Sequence, residues 1–170
     1  MSNAEPVLRT AVSEDVAAIR RFGEAHVRRH YAPLIGVEAA DEQVRRWWND
    51  EQVGAAVAGG LVVVAEAEGV VVGVGQRGRR GEDHAVYELY VHPGHRGRGL
   101  GPRLLDALRS RLPADADRLH IEHFAGNARR GVLRARGLRR GVGRAESDRG
   151  SRARGGLAVG GRLSPRQAAG

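Results

Sequence analysis

One hexapeptide, Arg96-Gly97-Arg98-Gly99-Leu100-Gly101, holds the residue types and spacing of an anion site. It lies between a β-branched and aromatic run, Ala85 to Val91, and a leucine-rich segment, Leu100 to Leu112, which read as a strand and a helix. Glycines let the backbone approach a ligand and adopt positive φ. The unpaired N–H groups at the start of the following helix, with its dipole, then attract a phosphate or pyrophosphate. Two well-known phosphate motifs are excluded. A P-loop needs Gly-Lys-Ser/Thr, and the chain has no lysine; the dinucleotide fingerprint needs a third glycine where Leu104 or Pro102 stands.

Glu88 stands on the same strand, and residues 88, 90 and 92 alternate away from Leu89 and Val91. His120-Ile121-Glu122-His123 has the composition of a metal site, but on a strand His120 and His123 point to opposite faces, so no metal is expected. Trp47, Trp48, His26, His30 and Tyr31 read first as helix residues packing a core, with one tryptophan as a candidate pocket wall.

These residues need a scaffold. Pro6–Ala11 reads as a first strand, and Ser13 stands at the cap position of a helix running to about Tyr31, ended by Ala32-Pro33. A second helix covers about Ala39 to Trp48. Leu61–Ala65 and Val70–Val74, joined at Glu68-Gly69, form an antiparallel hairpin, and Gln76 to Asp83 reads as a glycine-rich loop. Leu119–Glu122 is the fifth strand, reached by a crossover helix. The order is that of an α/β fold.

The chain has 170 residues, net charge +8 and no cysteine, which removes disulfides, thiolate metal sites and cysteine nucleophiles together. No apolar run reaches membrane length and no signal peptide opens the chain, so the expected location is cytoplasmic, with no membrane partner. The basicity is local. Residues 1–127 carry 16 Arg against 18 acidic residues, whereas residues 128–170 carry 12 Arg against Glu146 and Asp148. Those last 43 residues include 10 Gly and no aromatic residue, a composition that builds little core. A basic module that associates with nucleic acid through this tail is one alternative. Without a recognition helix or stacking aromatics near the arginines, specific nucleic-acid binding is not expected.

From about Val7 to Asn127 the chain resembles the GNAT superfamily of N-acetyltransferases. The carriers are Leu89-Tyr90-Val91-His92-Pro93 followed by Arg96-Gly97-Arg98-Gly99-Leu100-Gly101, which match a strand ending Val-x-Pro and the Arg/Gln-x-x-Gly-x-Gly/Ala signature. The resemblance implies a mixed, mostly antiparallel twisted sheet flanked by helices, over about residues 5–138, with an atypical Arg/Gly-rich segment at 139–170. It implies acetyl-CoA as acyl donor and a primary amine of a small molecule or peptide as acceptor. Leu89, Val91 and the backbone of Arg96, Gly97, Arg98, Gly99, Leu100 and Gly101 would hold the pantetheine arm and pyrophosphate. Arg96 and Arg98 would add charge, and Asn127 would touch the pantetheine. Val91 N–H would hold the oxyanion and Glu88 would serve as base toward the acceptor. A second copy of the chain is a candidate homodimer partner, through a sheet edge left exposed if native closing strands are lacking. A binding domain without turnover is the other alternative.

Beyond Asn127 the resemblance weakens, because the family tyrosine and Gly-Phe have no counterpart in Gly131 to Leu138, so no general acid is assigned. Read one nucleotide later, codons for Gly131 to Leu138 permit Ala-Phe-Tyr-Glu-Arg-Ala-Gly-Phe. The segment is thus either a natural basic tail or an out-of-frame reading from about Arg130. An early stop codon in the shifted frame of the coding DNA, or no Phe-Tyr near Val132, excludes the latter.

Overall fold

The computed structural model describes residues 4–81, 83–114, 116, 118–121 and 161–162. Its strands are β1 (Val7–Thr10), β2 (Val62–Ala67), β3 (Val70–Arg80), β4 (Asp83–Val91), β5 (Arg118–Ile121) and the two-residue β6 (Gly161–Arg162). They form one sheet in chain order. Every pairing is antiparallel except β4 with β5, which is parallel, with Val86 opposite Ile121. That exception is where the crossover helix α5 (Leu100–Arg109) intervenes, as a parallel connection requires. The fold is therefore the mixed, mostly antiparallel α/β sheet flanked by helices that the resemblance implies.

The sheet has two buried faces because its strands are apolar at successive positions. Val62, Val64, Val74 and Tyr90 point to one side, into a core with Ile19, Phe22, Val27, Tyr31, Val44 and Trp48. Val63, Ala65, Val72, Val86 and Leu89 point to the other, against Leu100, Leu104, Leu105 and Leu108. The 3.6-residue period puts those leucines on one face of α5, and burying each contributes roughly 1.5–3 kcal/mol. The first face carries α1 (Val16–Phe22), a π-helical turn (Gly23–Val27), α2 (Arg28–Ile35), α3 (Val37–Trp47) and α4 (Asp50–Ala58).

The structure corrects four local expectations. Gln76 to Asp83 is not a loop: β3 and β4 extend through it, pairing Arg79 with His84 and Arg80 with Asp83. The Tyr87 ring lies where a Cβ on Gly78 would be, at 2.6 Å, and its hydroxyl donates to Arg79 O at 2.5 Å, so tertiary contact overrides the polar, glycine-rich composition. Helix α2 carries Pro33 within its last two turns and stops only at Gly36. Helix α4, unread in the sequence, is capped by Asn49 Oδ1, which accepts from Gln52 N–H at 2.9 Å. Ser13 does not cap the first helix; it opens a 3-10 turn (Ser13–Asp15) ahead of α1, and the Asp15 carboxylate accepts from Val12 N–H before that turn at 2.8 Å.

Asp15 also takes both terminal nitrogens of Arg9, at 2.6 and 2.9 Å, and Arg9 reaches Glu66 at 2.5 Å, tying β1, β2 and the first helix together. The Arg9 guanidinium holds the Asp15 carboxyl below its ordinary value near 3.8. A depressed carboxylate pKa contributes stability that is complete above the unfolded value and disappears as pH falls through the folded one. Asp15→Asn is expected to cost roughly 1–2 kcal/mol at pH 7. Urea melts as a function of pH check this: the gap between wild type and variant narrows only below about pH 4.

Candidate active site

Strand β4 and the loop after it gather most of the residues singled out in the sequence. Val91 ends the strand, a short turn follows at Pro93–His95, and Arg96 to Gly99 lead into α5. Leu89 and Val91 lie on the α5 side of the sheet, Leu89 buried and Val91 half-buried. Glu88 is half-buried directly across from Gln76 of β3, on the face shared with Tyr90. Asn127 falls outside the described residues, as does everything placed on residues 122–160.

The loop has the backbone that the glycines license. Gly97 and Gly99 have φ of +75° and +76°, and a Cβ on either would meet no protein atom within 4 Å, so the backbone lies open there. Gly99 caps α5, and the first helical bond runs from Arg103 N–H to Gly99 O at 3.2 Å. The N–H groups of Leu100 and Gly101 therefore have no intrahelical partner, and Pro102, having none to offer, is tolerated in this first turn. Leu100 is buried, anchoring the helix start, while Arg96, Gly97, Arg98 and Gly99 are exposed. Arg96 folds back so that its Nε donates to Val91 O at 3.1 Å, joining the loop to the strand end.

On the other face the structure brings together aromatic and imidazole groups that the sequence left as separate helix and strand residues. The Tyr90 hydroxyl donates to that of Tyr31, and both rings are buried. Trp48 packs 5.7 Å from Tyr90, in the core, while Trp47 is half-buried beneath Arg46. The His26 ring meets His92 at 4.6 Å, and the His30 ring stands 6.3 Å from Tyr90. Burial and the neighbouring cations hold His26 and His92 below the usual imidazole value. Away from this cluster, His120 Nε2 lies 2.8 Å from Asp83 Oδ2.

A strand end, a positive-φ glycine loop and a free helix N-terminus together make a backbone cradle suited to an anionic group. The acetyltransferase (GNAT) domain family matches residues 58–137, which include all of that cradle. Over that part of the chain the resemblance to the GNAT superfamily read from the sequence is borne out. It is 40% identical over 106 residues to the L-amino acid N-acyltransferase MnaT of Escherichia coli, covering 59% of each chain. It spans only 18% of a second curated relative, the mycothiol acetyltransferase of Amycolatopsis mediterranei, at 49% identity over 55 residues. A GCN5-related N-acetyltransferase from Rhodopseudomonas palustris shares the fold with a TM-score of 0.67, at 25% identity over 94% of this chain and 95% of that one. An acetyltransferase from Salmonella typhimurium, solved with its cofactor acetyl-CoA, gives 0.56 at 26% identity, over 79% of each chain. No helix among the described residues is long and apolar enough to cross a membrane.

Proposed function

We propose that this chain transfers an acetyl group from acetyl-CoA to the primary amine of a small molecule or peptide. The observation that carries the reading is the pair of positive-φ glycines opening α5 directly after a strand that ends at Val91. The acetyl-CoA in the Salmonella relative supports the donor, and the family supports the reaction type. In this reading the backbone of Arg96, Gly97, Arg98, Gly99, Leu100 and Gly101 holds the pyrophosphate, with Arg98 adding charge from the exposed side. Leu89 and Val91 border the pantetheine arm, and Asn127 touches it. Val91 N–H stabilises the tetrahedral oxyanion, a preorganised donor where charge develops.

The amine must lose a proton before it attacks. With a pKa near 10.4, an alkyl amine is neutral in only about one molecule in a few thousand at pH 7. Glu88 is the base in this mechanism: its half-buried carboxylate faces the acceptor side of β4, directly or through a water. The nitrogen then attacks the thioester carbonyl, the C–N bond forms, and the C–S bond breaks to release the CoA thiolate. Glu88→Gln is expected to lower kcat/KM by about 100-fold near pH 7 and by much less near pH 10, where the amine is already neutral. A pH–rate profile identical to wild type removes Glu88 from the mechanism. Thiol release with acetyl-CoA across amine classes, beside calorimetry with acetyl-CoA alone, tests the function itself. Binding without release against any amine makes the chain a binding domain, and no binding at all removes the reading.

A further inference from the structure

The turn between β4 and the glycine loop is held by a side chain that titrates. His92, whose N–H donates to Val72 O at 2.8 Å, is the cap of the 3-10 turn Pro93–His95. At the start of that turn Pro93 has no N–H to offer, and His95 N–H reaches His92 O at 2.9 Å. Gly94 N–H is left over, and the imidazole takes it: Gly94 N–H donates to His92 Nδ1 at 3.0 Å. The ring lies so close over Gly94 that a Cβ there would stand 3.2 Å from Nδ1.

Caps are ordinarily Ser, Thr, Asp or Asn, whose oxygens accept throughout the neutral range. Histidine accepts only while Nδ1 carries no proton, with the ring hydrogen on Nε2. A second proton turns Nδ1 into a donor aimed at a donor, and the cap is lost. The surroundings favour the neutral ring. His26 packs edge-on at 4.6 Å from the π-helical turn, and His95 lies 5.8 Å away within the capped turn. Arg96 follows directly, its Nε on Val91 O. Burial first, then His95 and Arg96, hold His92 below the ordinary imidazole value of 6.5. Burial, His92, Arg29 and Arg96 act on His26 in the same direction. A group of this kind contributes above its ordinary value, and the contribution disappears as pH falls through the lower folded one.

We propose that His92 is a positioning residue: as a neutral imidazole it holds the turn that sets the loop from Arg96 to Gly101 for acetyl-CoA, and its protonation releases that loop. The inference rests on the acetyl-CoA reading above and adds a pH-sensitive brace to it. His92 acts through Gly94 N–H, at the point where the turn runs into Arg96 and fixes how the loop leaves the strand end.

Acetyl-CoA affinity measured by calorimetry on the full chain, at about pH 7.5 and about pH 5, tests this in three proteins. His26, His95 and the phosphate monoester of the cofactor also titrate in that range, and they are the same in all three. His92→Asn keeps an accepting oxygen that does not titrate, so its affinity at the higher pH is expected within about threefold of wild type. His92→Leu has no acceptor and is expected to bind about fivefold more weakly there. On acidification wild type falls from the asparagine level to the leucine level, losing about fivefold more than either variant does. Parallel losses in wild type and His92→Asn overturn the proposal, as does His92→Leu binding like wild type at the higher pH. Tighter binding by wild type in acid overturns it too, since the imidazole would then act as a cation toward phosphate. Without cofactor, the Gly94 amide resonance is expected to titrate together with the His92 ring in wild type and not in His92→Asn. A Gly94 resonance indifferent to that titration overturns the brace. If it titrates while no protein binds acetyl-CoA at either pH, the brace stands and the acetyl-CoA reading alone fails.

Discussion

Gly99→Val is expected to abolish measurable acetyl-CoA binding while the protein remains folded. Gly99 holds φ of +76° as the cap of α5, a left-handed conformation costing an L-residue roughly 1–2 kcal/mol and a β-branched one more. The protein itself has room for the new side chain, since nothing lies within 4 Å of a Cβ there. The loss therefore falls on the ligand: in the proposed reading a pyrophosphate reaches the N–H groups of Leu100 and Gly101 from the open side of the loop. Valine covers that side and pulls the cap toward extended φ. An affinity loss of about 100-fold or more is expected by calorimetry, with circular dichroism confirming the fold. Gly99→Asn separates the two causes, because asparagine tolerates the left-handed region and brings bulk with less strain. Wild-type affinity in a folded Gly99→Val protein removes the loop from the cofactor site.

The legibility of this site follows the range of the forces involved. The glycine loop was readable because strand, positive-φ turn and helix start are neighbours in sequence, each with its own local signal. The β2–β3 hairpin was readable from the β-branched runs Leu61–Ala65 and Val70–Val74 on either side of Glu68-Gly69. The π-helical turn at Gly23–Val27 was not, because nothing in its composition separates it from the helix on either side. Its extra residue per turn redirects His26 toward His92, 66 positions away, and no spacing rule reports such a meeting. Helix α4 could have been read: Asn49 followed by Asp50 and Glu51 is a helix-start signal.

The basic segment remains a proposal in either of its forms. The GNAT family match runs in the frame as written up to residue 137, ten residues past Asn127, which counts against an out-of-frame reading from about Arg130. Sequencing the coding DNA still decides between that origin and a natural tail. A shifted frame with an early stop or without aromatic strand residues leaves the natural tail.

Gly23→Ala is expected to destabilise the protein, against the ordinary preference of helices for alanine by about 1 kcal/mol. A Cβ at position 23 would lie 2.2 Å from Trp48 Cε3 and 2.3 Å from Cδ2, far inside contact distance. The indole has little space to retreat, being buried between Phe22, 6.5 Å away, and Tyr90, 5.7 Å away. The helix must shift instead, and the π-helical turn that presents His26 shifts with it. Overpacking of this kind costs roughly 1–3 kcal/mol, which outweighs the propensity gain and lowers Tm by about 3–8 °C in a chain of this size. The double variant Gly23→Ala, Trp48→Leu checks the cause: removing the ring gives the methyl its space, so the two substitutions together cost less than the sum of each alone. Strictly additive losses would mean that Gly23 serves the turn's backbone rather than the tryptophan. A stabilised single variant would mean that the close approach of helix and indole is absent in solution.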